Sequence, residues 1–306
     1  MKKIILGAAA VAMMIGVSSC DSKEGTSTMN FPVTTYNHVA DMVAGGEPTV
    51  VGSTYKFNFD TMAATVTVGA ELPISGNNIS FVTPSINYTG GMYNYENNYY
   101  EVINVNSMVA GTASNQATIA NLDCQLTSIA YYPPQIEGLP QVSIPYGYKY
   151  AVMSYNIGNN YKVKTFWSDM TFNGSTTTHY SLGGANKEFT SKDVLYRVVM
   201  NVKDKKATVI LYNAKLAEEM PKPITNIVLK DLPVSFDATG YSITAKDVVP
   251  DVYESGVATP NPNFPFDSFT LSSRGDLTSC NIYYTVAGKY QGEFNGSYVL
   301  KVSSSN

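Results

Sequence analysis

Tyr55-Lys56-Phe57-Asn58-Phe59 and, a few positions on, Ala64-Thr65-Val66-Thr67-Val68 each alternate apolar and polar side chains, on either side of a short break at Asp60-Thr61-Met62-Ala63. Alternation at every second residue sends the two sets of side chains to opposite faces of an extended chain. The pair therefore reads as an antiparallel hairpin with one buried face. The device recurs downstream. Tyr196-Arg197-Val198-Val199-Met200-Asn201-Val202 leads through Lys203-Asp204-Lys205-Lys206 into Ala207-Thr208-Val209-Ile210-Leu211.

Composition extends this reading to the whole chain. The 306 residues include 23 Tyr, 12 Phe, 23 Gly and 15 Pro, and 14% are charged. Runs of about five to eight β-favouring residues alternate with turn chemistry, as in a sandwich or barrel. No helical periodicity of any length follows the N-terminal segment. The fold class expected is all-β, as two tandem antiparallel β-rich domains.

Short echoes support the tandem arrangement. Ala64-Thr65-Val66 returns as Ala207-Thr208-Val209, Ile79-Ser80-Phe81 as Val234-Ser235-Phe236, and Leu126-Thr127-Ser128 as Leu277-Thr278-Ser279. The offsets are 143, 155 and 151 positions, in the same order along the chain, which marks a duplication. The expected domains are 30–167 and 168–306. Cys124 and Cys280 fall near the same place in the two copies, on either side of the Leu-Thr-Ser echo. Equivalent strands of separate domains lie too far apart for a disulfide, which needs Cα atoms within about 7 Å, so two free buried thiols are expected.

The N-terminus has its own logic. Met1-Lys2-Lys3 precedes an apolar run from Ile4 to Val17, followed by Ser18-Ser19-Cys20. This is the order of an export signal, and the run is shorter than the ~20 residues a membrane helix needs. Val17-Ser18-Ser19-Cys20 resembles the lipobox of bacterial lipoproteins. That resemblance implies a signal peptide over 1–19, acylation of Cys20, a flexible tether over 20–29, and a membrane partner held through the lipid. Asp21, Lys23 and Glu24 with the following Gly/Ser/Thr residues resemble the charged export tether of surface lipoproteins in Bacteroidetes, although Lys23 interrupts the acidic run. The implied address is the outer membrane, at the cell surface.

In the second copy, Met170-Thr171-Phe172-Asn173-Gly174, Tyr212 to Pro221, Leu232-Pro233-Val234-Ser235-Phe236, Tyr241 to Ala245, Phe264-Pro265-Phe266 and Tyr284 to Tyr290 follow in succession. This succession resembles the calycin-like, lipocalin-related β-barrel domain of Bacteroidetes lipoproteins. The resemblance implies a barrel in the second domain and, more loosely, in the first. Nothing in the first copy matches Met220-Pro221, so its barrel is expected to be incomplete. No catalytic residue comes with the resemblance.

Charge narrows the partners. Removal of 1–19 leaves 18 of the 20 basic side chains against 24 acidic ones, a net charge of −6, which repels phosphate backbones and argues against nucleic acid. The catalytic inventory is thin. His38 and His179 lie in no zinc-binding spacing, and no nucleophile elbow, phosphate-cradling loop or dinucleotide fingerprint occurs; no cofactor is expected. Asp247, Asp251 and Glu254 gather around Pro250 as a weak calcium candidate, against the plainer reading of a solvated acidic loop. Met92 to Tyr100 reads as a hairpin with Asn97-Asn98 in its turn, which offers Tyr93, Tyr95 and Tyr99 either as flat surfaces for sugar faces or as cross-strand pairs. Trp167 sits at the expected domain boundary as a packing or ligand residue. Asp60-Thr61-Met62 resembles O-glycosylation sites of Bacteroidetes, with Thr61 as acceptor.

The function expected is a lipid-anchored, non-enzymatic envelope module that binds a glycan, a small apolar molecule or an envelope protein. A structural component of a surface complex or fimbria, joined by strand addition at a sheet edge, is the alternative. A glycoside hydrolase working with carboxylates alone ranks third.

Overall fold

The computed structural model describes residues 28–60, 62–95, 98–130, 147–237, 239–254, 257–274 and 279–297. These residues are all-β, and the chain divides into two compact units, 1–167 and 168–306. The first unit holds β1 (Thr28–Asp41), β2 (Thr49–Asp60), β3 (Thr65–Ile74), β4 (Asn77–Val82), β5 (Ile86–Tyr95), β6 (Asn98–Thr112), β7 (Thr118–Ala130), β8 (Gly147–Ile157) and β9 (Tyr161–Trp167). The second holds β10 (Asp169–Leu182), β11 (Ala185–Asn201), β12 (Lys206–Ala214), β13 (Ile224–Asp237), β14 (Gly240–Val248), β15 (Asp251–Glu254), β16 (Val257–Pro260), β17 (Phe266–Arg274), β18 (Ser279–Val286) and β19 (Tyr290–Ser297).

The opening hairpin forms as its alternation requires. Tyr55, Phe57 and Phe59 lie opposite Ala70, Val68 and Val66, and all six side chains are buried. At the turn, the Asp60 carboxylate accepts the backbone N–H groups of Met62 and Ala63, both at 3.0 Å, and Ala64 takes a left-handed φ of 51°. Asn201 and Lys205 repeat this turn in the second unit: the Asn201 carboxamide accepts the Asp204 N–H at 3.1 Å, and Lys205 has a φ of 51°. Both turns use a side chain to replace the ladder bond that the bend forfeits. They are 141 positions apart, two fewer than the Ala-Thr-Val echo suggests.

Each sheet closes on itself. In the second unit the ring runs β10-β11-β12-β13-β14-β17-β18-β19 and back to β10, with the β15–β16 hairpin added beside β13. In the first it runs β1-β2-β3-β5-β6-β7-β8-β9 and back to β1, with β4 outside the ring on β3. The β3–β5 link is narrow, two residue pairs at Thr65↔Asn87 and Val66↔Ile86. The first barrel is thus complete, contrary to the sequence expectation, because β3 bonds directly to β5 and needs no counterpart of the Met220-Pro221 segment.

The rings share one geometry. Followed round the first, the level of Met29↔Phe59 passes Val66↔Ile86, Ser107↔Leu122 and Tyr155↔Val163, and returns to β1 at Val39, ten positions from 29. In the second, the level of Ser168 and Met200 passes Ala207↔Leu232, Ala245↔Phe269 and Tyr284↔Gly292, and returns to β10 at Thr178, ten positions from 168. Eight strands so staggered enclose an interior just wide enough to be filled by side chains.

Rings of aromatic residues fill it. Tyr55, Phe57, Phe59 and Tyr155 are fully buried in the first barrel, and Phe172, Tyr196, Tyr241, Phe266, Phe269 and Phe294 in the second; Tyr36 is buried too, but on the outward side of β1, stacked on Phe166. Glycine makes the last of this room. A Cβ on Gly292 would lie 2.1 Å from the Tyr284 ring directly opposite on β18, so only glycine admits that ring. Outward positions such as Lys56, Glu71, Asn104, Asp123, Gln125, Lys162 and Lys246 are polar and exposed. This is the reverse of a membrane-spanning barrel, whose outer band is apolar.

Register also revises the echoes. Leu126-Thr127-Ser128 lies on β7, the sixth ring strand, whereas Ser279 opens β18, the seventh. Cys124 and Cys280 are therefore not equivalent, although both are buried free thiols.

Candidate functional site

The barrel interiors carry polar groups, and those of the first are committed to one another. In the first, the Asn37 side-chain oxygen accepts the Tyr55 hydroxyl at 3.0 Å and the Thr165 hydroxyl at 2.7 Å, and the Tyr155 hydroxyl lies 2.7 Å from that of Tyr55. The Asn37 amide donates to the Val51 carbonyl at 3.0 Å. Burial pushes both tyrosines and Cys124 well above their ordinary pKa, so they stay neutral. Tyr196 and Tyr284 occupy the same two register positions in the second barrel. The Tyr196 hydroxyl lies 3.4 Å from Thr176 Oγ1, and the Tyr284 hydroxyl adjoins Tyr196 and Thr178 without a hydrogen bond of ordinary geometry. None of these groups reaches solvent.

Several charged side chains are paired as well. Asp169 takes Arg197 as a two-pronged pair at 2.8 and 2.6 Å, Asp231 takes Lys206, and Asp237 takes Arg274. Glu219 binds Lys187 and accepts the Tyr180 hydroxyl at 2.8 Å, and these two partners hold its carboxyl down to about 2. Each of these carboxylates faces a cation.

The residues singled out in sequence scatter. Asp247 is exposed with a left-handed φ of 54°, and Asp251 on β15 is bound by Lys230 at 2.5 Å; the Glu254 side chain lies outside the described residues. Among the described residues, no group of three or more His, Cys, Asp and Glu side chains is placed to hold a metal ion. Tyr93 and Tyr95 lie on β5 and Tyr99 on β6, in a hairpin whose strands end at Tyr95 and Asn98. The ladder sets Tyr93 opposite Tyr100, and Tyr99 opposite Asn94; the side chains themselves lie outside the described residues. Trp167 ends β9 opposite Thr35, its side chain likewise outside. Cys20 and Thr61 lie outside altogether.

A different place draws free polar groups together. At the end of the first barrel where β8 turns into β9, an open groove of about 490 Å³ is lined by Asn121, Ser154, Asn156, Asn159, Tyr161 and Lys162, with Met42 at its edge. Asn121 reaches it through a bulge: β7 carries one residue more than β8 between Ala120↔Asn156 and Asp123↔Ser154, and Asn121 takes φ 53° there. Such a bulge re-aims a side chain. Ser154 and Asn156 alternate outward along β8, and Lys162 lies opposite Asn156 on β9. Tyr161 packs against the barrel core.

Backbone bonds fix this rim. The Met42 N–H donates to the Asn160 carbonyl and the Gly158 N–H to the Thr118 carbonyl, both at 2.7 Å. Gly158, with φ 56°, makes the tight turn. By contrast, the side chains of Asn121, Asn156, Asn159 and Lys162 make no hydrogen bond or ion pair with any described residue. Other amides do bond within the protein: Asn58 to Thr67, Gln125 to Asn104 and Asn295 to Glu293. Sequence reading missed the groove because positions 42, 121 and 154–162 meet only through ring register. The one local signal is the run Asn156 to Asn160.

No family model and no curated protein matches the chain. Among solved structures, it aligns with isotype 1 transferrin binding protein B (TbpB) from serogroup B Neisseria meningitidis, at 8% identity and a TM-score of 0.23, over 89% of this chain and 75% of that one. A likeness at that level carries no argument.

Proposed function

We propose that this chain is an envelope lipoprotein, anchored through Cys20, that works as a non-enzymatic binding module. The observation that carries the proposal is the groove at the β8–β9 turn, where the uncommitted side chains of Asn121, Asn156, Asn159 and Lys162 converge. Interiors occupied by buried aromatic side chains argue against the central ligand that some eight-stranded barrels hold, so recognition falls to the barrel ends and outer faces. Asp169, Glu219, Asp231 and Asp237 are each paired with a cation, which removes these four as candidates for the acid and base of a hydrolase.

Assembly by strand addition is the weaker reading. Of the two sheet ends, β16 has only four residues, ends in Pro260 and is exposed over 258–260, and β4 is bridged on its outer side at Phe81↔Ala113 and bonded between Ser80 and Ser114; a short strand with proline is a blunted edge.

Two measurements test the proposal. In cells, a Cys20→Ala variant is expected to leave the membrane fraction, and its retention there sinks the anchoring claim. In solution, residues 21–306 titrated calorimetrically against panels of oligosaccharides, fatty acids and peptides are expected to give saturable binding that Asn156→Ala weakens. Binding indifferent to Asn156→Ala moves the site elsewhere.

A further inference from the structure

We infer that the groove recognises a saccharide bearing a carboxylate, an inference that rests on the binding-module reading above. Asn121, Asn156 and Asn159 each present a paired donor and acceptor. Sugar hydroxyls, which donate and accept at neighbouring positions, match such carboxamides. Tyr161 adds a ring held from behind by the core, with a polar tip. Met42 and that ring are too little apolar surface for a lipid tail, whose sites are lined mainly by hydrophobic side chains.

Charge selects within the class. Lys162 is the only charged side chain lining the groove, and it has no carboxylate partner among the described residues. On a chain of net charge −4, a groove whose sole charge is an uncommitted ammonium favours an anion. Phosphate and sulfate fit poorly. Such groups are held by arginine forks or by clustered backbone N–H donors, whereas no arginine lines this groove and the N–H groups of Met42, Gly158 and Asn160 are already bonded to carbonyls. One ammonium among amides suits a single carboxylate, as on a hexuronic acid unit. The groove volume lies in the range of small-ligand sites.

The test is calorimetry on residues 21–306 with a trigalacturonate and its neutral galactose trimer, at low and high salt. Trigalacturonate is expected to bind more tightly than the neutral trimer, with a preference that salt erodes. Lys162→Gln is expected to lower trigalacturonate affinity on the order of tenfold and to erase the preference, while Asn156→Ala weakens both sugars and Lys246→Gln, on the other barrel, changes neither. Both lining residues are uncommitted, so an unchanged thermal midpoint verifies the fold of each variant. Equal binding of the two trimers, or a Lys162→Gln variant that keeps the preference, overturns the carboxylate. Binding of a fatty acid or peptide weakened by Asn156→Ala, with neither trimer bound, overturns the inference and leaves the binding-module reading standing. Failure of every panel ligand overturns both.

Discussion

Tyr55 and Tyr196 hold the same register position, yet their hydroxyls have different company. Tyr55 donates to Asn37 and lies within hydrogen-bonding distance of Tyr155 and Thr165, whereas Tyr196 has one long hydrogen bond, at 3.4 Å to Thr176, with the Tyr284 hydroxyl beside it in poorer geometry. Removing one member of a satisfied buried network strands the others, at a cost of about 1–3 kcal/mol. Tyr55→Phe is therefore expected to lower stability in urea by that amount, and Tyr196→Phe by less than about 1 kcal/mol; equal losses would show that the Asn37 network adds nothing. Gly292 makes the opposite case, since its worth is the atom it lacks. Gly292→Ala drives a methyl into the Tyr284 ring and is expected to cost about 1–3 kcal/mol, as overpacking does. Tyr284→Leu should recover much of that loss in the double variant, because the ring is the obstacle.

The connection between β12 and β13 is an element whose hold depends on pH. Leu216 and Ala217 are buried, and Glu219 pins the segment to Tyr180 and Lys187. The Glu219 carboxyl is held near 2, below its ordinary 4.5, so its contribution is fully present above about pH 4.5 and disappears as pH falls toward 2. Thermal unfolding followed across that window should show Glu219→Gln losing less stability than the parent on acidification. Parallel profiles would mean the pair is screened to insignificance. The hairpins were legible at this same scale, because Tyr55 to Val68 states its own alternation and Asp60 its own turn. Ring membership was not, since closure depends on bonds such as β3 to β5 that no neighbouring residues announce. Leu126-Thr127-Ser128 and Ser279 share letters of an echo and sit on different ring strands, while Tyr155 and Tyr284, which do share a position, are marked only by a loose pattern, Ile157 or Val286 two places on and Tyr161 or Tyr290 six places on. The groove was hidden for the same reason, its amides being contributed by β7, β8 and the β8–β9 turn.

For the whole molecule, the decisive fact is that each unit completes its own ring and borrows no strand from the other. A segment of 168–306 expressed alone is therefore expected to unfold in a single cooperative transition with a β-type circular dichroism spectrum; a spectrum without β structure would mean that the ring cannot close unaided. The topology also fixes how the first barrel carries mechanical load. The chain enters it on β1 and leaves on β9, adjacent antiparallel strands, with Thr35 opposite Trp167 at the end where the chain departs. When the start of β1 and the second unit are pulled apart, the force falls on that single pair of hydrogen-bonded strands, and its bonds break in succession from Trp167 toward Tyr161 rather than sharing the strain. The seam that closes the barrel is also where tension would open it, like a zip pulled from its open end.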